Sequence, residues 1–556
     1  MTGYIKHLLL LLAGALIALL IAAFLRVSDD EFDITLQMIN QTERLIGLEF
    51  TEAQRDSMLP DINSNLASYE NLRQYELDNS VPPAINFSPL VTGYQPDPAD
   101  APNEWRIPED AELPENRDDL AWYSIPELAS LIKQGKITSE ELTRFYLDRL
   151  RTYDSELEAV ITFTEKRALE KAKKADDAIE RGEYRGPLHG IPYGIKDLFA
   201  LEGERTTWGA TPYQDQKRDE TATVIEKFDD AGAILVAKLT TGALAWGDVW
   251  FGGKTRTPWD TSQGSSGSSA GSAATTAAGL VPFAIGTETL GSIVSPSSVN
   301  GITGLRPTYG RVSRHGVMAL SWSMDKVGPI TRSVEDAAIV FDVIKGQDDR
   351  DYTSVDFPFH FDYREDLDGV RIGYLEDAFE TDYQTQHQDS LVLAQLEELG
   401  AELIPFSFPE VPTASLSFIL SAEAAAAFDE LTRSGKDSLL VRQQRNAWPN
   451  VFRASRFIPA VEYIQANRIR TELLRELNEI IDEFDLYVSP AFTGGNLLTT
   501  NLTGHPSVVV PNGFNEDGMP VSITFTGNLF DEGELMSAVA AWQRYTEYHT
   551  HHPEGF

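Results

Sequence analysis

The chain has no cysteine. Disulfides, thiolate nucleophiles, Cys zinc sites and Cys-linked lipids are therefore excluded. Positive charge is also scarce: 46 Lys and Arg stand against 85 Asp and Glu, for a net charge of −39. Such a field repels phosphate backbones, and no basic patch offsets it, so no nucleic-acid partner is expected. No Gly-Lys-Ser/Thr or GxGxxG turn is present, so nucleotide binding has no support either. What remains is a globular composition, 42% apolar and 24% charged in 556 residues. That is enough for a sizeable core.

Only one long apolar run exists. Leu8 to Leu25 is unbroken over 18 residues, with Lys6 before it and Arg26 after it. As a helix it would reach roughly 27 Å, close to the ~30 Å of a bilayer core. The end of the run, Ala22-Ala23-Phe24-Leu25, spoils a small-x-small cleavage site. Residues 1–27 are read as an uncleaved membrane anchor, with a cleaved signal as the alternative. The short tail before the run places the remainder outside the cytoplasm, periplasmic or extracellular; secretion follows if the segment is cleaved.

Residues 28–118 form an acidic extension with helical spacing at 34–48 and 61–75. Proline-rich pieces follow around Pro82, Pro83, Pro96, Pro98 and Pro102. The extension either wraps the main domain or spaces it from the membrane. Residues 119–556 read as the main domain. Capping patterns at Ser124/Glu127 and Thr138/Glu141 open two helices. Strands are expected at 160–163, 234–239, 370–375, 402–404, 486–489, 507–510 and 521–525, with a last helix over 532–548. Strands alternating with helices predict an α/β fold around a large sheet. There is no internal repeat.

Ser262 to Ser272 reads Ser-Gln-Gly-Ser-Ser-Gly-Ser-Ser-Ala-Gly-Ser. Alone it resembles a linker, but it runs into a small-residue segment, an apolar segment and a second Gly/Ser turn ending at Ser292. Two such turns bracketing buried-looking elements suit backbone N–H groups converging on one point.

Four ordered blocks then carry a resemblance. They are Gly190-Ile191-Pro192-Tyr193-Gly194-Ile195-Lys196-Asp197, Gly267-Ser268-Ser269-Ala270-Gly271-Ser272, Gly286-Thr287-Glu288-Thr289-Leu290-Gly291-Ser292-Ile293 and Gly304-Leu305-Arg306-Pro307-Thr308-Tyr309-Gly310-Arg311. Together they resemble the amidase-signature family, over about residues 122–548. The resemblance implies a large central mixed β-sheet covered on both faces by helices. It implies amide hydrolysis with Ser292 as nucleophile, Ser268 as bridging serine after a cis peptide, and Lys196 as general base. Ser269 competes with Ser268 for the bridging role. The backbone N–H groups of Thr289, Leu290, Gly291 and Ser292 would form the oxyanion hole. No cofactor and no metal are implied. Glu288, Asp197 and Asp325 are read as structural.

The substrate is expected to be a small-molecule or peptide amide, with an apolar pocket drawn from Ala243, Trp246, Trp250 and Phe251. Carbamates and esters stay open, as does a homodimer. The family also includes the A subunits of tRNA-dependent amidotransferases, the main alternative. Leu290 and Val294 depart from the pattern expected for those, Val294 standing where many members carry Arg. A metal site at His549, His551 and His552 is the weaker rival; these residues read as a solvated tail.

Overall fold

The structure is a computed structural model and describes residues 34–74, 77–90 and 102–556. The apolar run at residues 8–25 lies outside the described residues. Among the described residues, no helix is long and apolar enough to cross a membrane.

The chain divides into two compact units, Met1–Asp78 and Asn79–Phe556. The first contains the helices Leu36–Thr42 and Glu52–Leu72. Thr51 and Gln54 form a reciprocal capping box at the start of the second. A two-pronged ion pair, Arg55 Nε to Glu43 Oε2 at 3.0 Å and Nη2 to Oε1 at 2.5 Å, ties the two helices.

The second unit takes in residues 79–90, which pack against its other elements. Asn79 exchanges side-chain hydrogen bonds with Ala319, 2.9 Å to its carbonyl and 2.7 Å from its N–H. Phe87 lies under the Arg470 guanidinium at 3.6 Å and edge-on to Tyr309 at 5.1 Å.

Fifteen strands are described: β1 Val160–Phe163, β2 Pro192–Lys196, β3 Ile234–Leu239, β4 Val249–Trp250, β5 Gly253–Lys254, β6 Arg256–Thr257, β7 Asp260–Gly264, β8 Phe283–Glu288, β9 Thr303–Arg306, β10 Lys326–Thr331, β11 Arg371–Leu375, β12 Glu402–Phe406, β13 Leu486–Pro490, β14 Ser507–Phe514 and β15 Pro520–Gly527. Eleven form one mixed sheet in the order β1-β3-β2-β8-β10-β9-β14-β15-β13-β11-β12. Pairing is parallel for β3–β2–β8 and for β13–β11–β12, and antiparallel elsewhere. The two short hairpins β4–β5 and β6–β7 stand apart from it.

The interior strands β2, β3 and β8 are buried along their whole length, as expected of strands covered on both faces. One large apolar cluster joins this sheet to the helices Ile125–Lys133, Val334–Ile344 and Glu532–Thr546. Ser124 and Thr138 make the two expected capping boxes.

The C-terminal tail is exposed at His551 and His552, as expected of a solvated end, but it also packs on the domain. His552 stacks on Trp122 with ring centroids 3.9 Å apart, and Phe556 packs on Tyr153 at 5.2 Å. Aromatic side chains give the short tail something to bury. No cluster of potential metal ligands exists among the described residues.

Candidate active site

Lys196 ends β2, an interior strand between β3 and β8, and its side chain is fully buried. The neighbouring strand β8 ends at Glu288 and feeds a tight turn through Thr289–Ile293 into the helix Val294–Asn300. Gly291 takes a left-handed conformation in that turn, φ +85°. The helix Ala270–Ala277 starts just after Ser268 and Ser269. Every residue in it is buried and every one is Ala, Gly, Ser or Thr. Small side chains let it lie close against β8. A Cβ on Gly286 would sit 2.7 Å from Ser269 Oγ.

These elements bring Lys196, Ser268 and Ser292 into one region. Lys196 Nζ lies 2.8 Å from Ser268 Oγ, 2.8 Å from Thr287 Oγ1, 3.1 Å from Ser269 Oγ and 3.3 Å from the Thr287 carbonyl. Burial drives its pKa well below the ordinary lysine value, against the opposing pull of the Asp325 and Glu288 charges. The Gly267–Ser268 peptide is cis.

The two candidate bridging serines differ in their bonding. Ser269 Oγ donates to the Thr287 carbonyl at 3.1 Å and accepts the Thr287 N–H at 3.2 Å. Ser268 Oγ has Lys196 as its one hydrogen-bond partner among the described residues. The Ser269 N–H donates to the Ser292 carbonyl at 3.1 Å, which ties the two Gly/Ser turns together.

Ser292 is nearly buried and lines a cleft of about 660 Å³. The backbone N–H groups of Thr289, Leu290, Gly291 and Ser292 make no hydrogen bond to any described residue. Leu290 is 36% exposed and turns into the cleft.

Glu288 braces the turn from beneath. Its Oε2 accepts the N–H groups of Ile293 and Val294 at 2.8 and 2.9 Å. Its Oε1 accepts from Arg306 at 2.9 Å and from Asn501 at 2.7 Å. Burial pushes this carboxyl up, but the Arg306 charge and these hydrogen bonds outweigh it and hold the pKa at about 2. Asp325 anchors the other end of the turn, accepting from Thr289 Oγ1 at 2.6 Å. Asp197 pairs with buried Lys238 at 2.8 Å and does not touch Lys196 Nζ. His505 is buried against Thr503, and burial lowers its pKa to about 3, so it stays neutral.

The expected pocket residues separate. Trp246 lines the cleft. Ala243 lies instead in a neighbouring depression beside Trp246, Leu440 and Arg442. Trp250 and Phe251 pack on each other, edge to face at 4.9 Å, and do not line the cleft. The rest of the wall comes from the helices Phe418–Ala427 and Trp448–Ser455 and from Phe492 and Leu497. Backbone φ at Ala245 (+63°) and Ser266 (+60°) is left-handed for non-glycine residues, and both line the cleft. Such conformations gather at functional sites, and no sequence pattern marks them.

The family model for Amidase matches residues 141–536. This chain belongs to the amidase family. Among curated proteins, the A subunit of glutamyl-tRNA(Gln) amidotransferase from Moorella thermoacetica is 33% identical over 485 residues, 78% of this chain and 99% of that protein. Among solved structures, the native peptide amidase of Stenotrophomonas maltophilia aligns at TM-score 0.68 and 29% identity, over 76% of this chain and 97% of that one. The A subunit of glutamyl-tRNA(Gln) amidotransferase from Thermotoga maritima aligns at 0.65 and 28%, over 78% of this chain and 98% of that one. The amidase fold, a large mixed sheet between helices, is the one described above.

Proposed function

We propose that this amidase hydrolyses a carbon–nitrogen amide bond through an acyl-enzyme on Ser292, with Ser268 as proton bridge and Lys196 as general base. The observation that carries the reading is the buried Lys196 amine 2.8 Å from a serine hydroxyl that has no other partner among the described residues. A serine hydroxyl needs a base, and lysine serves as one only when neutral.

Neutral Lys196 takes the proton of Ser268 as Ser268 takes that of Ser292. Ser292 Oγ attacks the amide carbonyl and forms a tetrahedral adduct. The free N–H groups of the 289–292 turn hold its oxyanion; a donor in this role is worth about 3–4 kcal/mol. The proton returns along the same path to the leaving nitrogen, and the C–N bond breaks. Water then attacks the acyl-enzyme and releases the carboxylate.

Replacing Ser292 with Ala tests this on a panel of amides, esters and carbamates. The reading requires loss of all turnover that the wild type shows. Near-normal amide turnover in Ser292→Ala would sink it.

A second reading rests on the amidotransferase A subunits that this chain resembles at 33% identity. In it the same triad releases ammonia from glutamine for a partner protein. The −39 charge and a buried Val294 where many members carry Arg weigh against it. Glutamine-dependent ammonia release that needs a second protein would establish it. The run at residues 8–25 supports an enzyme tethered to a membrane and facing outward. Full release into the soluble fraction without detergent would contradict that placement.

A further inference from the structure

We infer that the substrate is an uncharged amide with a bulky apolar acyl group, and that a zwitterion such as L-glutamine is excluded by the cleft; this rests on the amide-hydrolase reading.

The cleft measures about 660 Å³. At ~30 Å³ per water, that is room for about twenty water-sized groups. It is far more than the scissile amide alone requires. Its wall is built from Trp246, Leu290, Phe418, Leu420, Trp448 and Phe492, with smaller residues between them. Trp246 meets Trp448 edge-on at 4.5 Å, and Trp448 stacks on Phe452 at 4.9 Å, so this aromatic surface is fixed from behind. Among the described residues, no charged side chain lines the cleft.

Several hydroxyls of the wall already hold a partner in the protein. Ser266 and Ser295 bond each other at 2.8 Å. Ser417 Oγ donates to the Ala414 carbonyl at 2.9 Å, and Thr289 Oγ1 donates to Asp325 at 2.6 Å. The large side chains that face a ligand are therefore apolar, and polar groups are left at Ser421, at Ser292 and the free N–H groups beside it, and at the Ser266–Ser295 pair. Those N–H groups suit a carbonyl oxygen.

Charged groups lie close by but off the cleft wall: Arg314, Asp325 and Lys326 line an adjoining pocket that shares Ala245, Thr289 and Leu320 with the cleft. Asp325 also accepts the N–H groups of Leu320 and Ser321, at 2.8 and 3.0 Å. The Arg442 guanidinium sits over the Trp246 ring, 5.7 Å from its centroid, in the neighbouring depression. An α-ammonium or α-carboxylate entering the cleft would lose its water and find no charged side chain on the cleft wall. The net charge of −39 further disfavours an anion.

The test compares amides that share ammonia as leaving group. The full chain is given hydrocinnamamide, L-glutamine and the monoamide of glutaric acid, and ammonia release is measured. The expected kcat/KM for hydrocinnamamide exceeds the other two by at least about 100-fold, the scale on which an unpaired polar group discriminates. Glutamine turned over as well as hydrocinnamamide, with a serine-directed fluorophosphonate still labelling Ser292, overturns the substrate class alone. No turnover and no label on Ser292 overturn the hydrolase reading and this inference together.

A second arm uses Phe492→Arg. Phe492 is 58% exposed, so the change does not open the core. The variant is expected to lose about tenfold in kcat/KM for hydrocinnamamide and to gain on the glutaric monoamide, as a new counter-charge should. An equal change on all three substrates overturns the inference.

Discussion

Lys196 Nζ lies 2.8 Å from Ser268 Oγ, and none of its hydrogen-bond partners among the described residues is a carboxylate. A lysine held by hydroxyls and one carbonyl in a dry site gains little by being charged. The same lysine beside a carboxylate would stay protonated and could not serve as a base.

The bonding of the two adjacent serines separates their substitutions. Ser268→Ala removes the proposed proton bridge beside Lys196, and kcat is expected to fall about 10³-fold, within the range for losing proton transfer. Ser269→Ala breaks bonds to both ends of Thr287 but no proton path, and should cost about tenfold. Steady-state kinetics on both variants decides the assignment. A larger loss in Ser269→Ala would exchange the roles.

The pH profile follows from the direction of the Lys196 shift. The base works only when deprotonated, so kcat/KM should be low at acid pH and rise as Lys196 loses its proton. Burial lowers that pKa well below 10.5, so the rise should be complete well before an ordinary lysine titrates. In Thr287→Val the 2.8 Å contact from Thr287 Oγ1 is gone, and the midpoint of the limb should move. A limb that stays near the ordinary lysine value in the wild type would contradict a neutral Lys196.

Glu288 should act on both stability and rate. Glu288→Gln leaves the buried Arg306 guanidinium without its counter-charge, and breaking one partner of a buried pair costs about 3–5 kcal/mol. It also weakens the grip on Ile293 and Val294, which positions Ser292. Thermal denaturation should show a lower Tm, and kcat should fall with little change in KM. Unchanged Tm with lost activity would instead make Glu288 a participant in the chemistry.

Much of this was legible in the sequence because the signals were local. The strands at 160–163 and 234–239 have the expected bounds, being short apolar runs closed by turn residues. Both capping boxes stand where Ser124 and Thr138 place them. The strands β2, β8, β9 and β10 carry no alternation, since both faces are covered, and none of them was expected from the sequence, although motif blocks run through them. Lys196, Ser268 and Ser292 were readable because ordered blocks hold them. Of the cleft's aromatic wall, only Trp246 was. Phe418, Trp448 and Phe492 lie far apart in the chain and on ordinary helices and loops, so only the fold assembles them. Trp250 and Phe251 misled because an aromatic pair near a motif packs on itself as readily as on a ligand.

The central claim is that Ser292 forms the covalent intermediate. The most direct measurement is to treat the full chain with a serine-directed fluorophosphonate, digest it and locate the adduct by mass spectrometry. The account predicts a single adduct on the peptide containing Ser292, absent from Ser292→Ala and much slower to form in Lys196→Ala. An adduct on Ser268 or Ser269, or none on an enzyme that still hydrolyses amides, would contradict it.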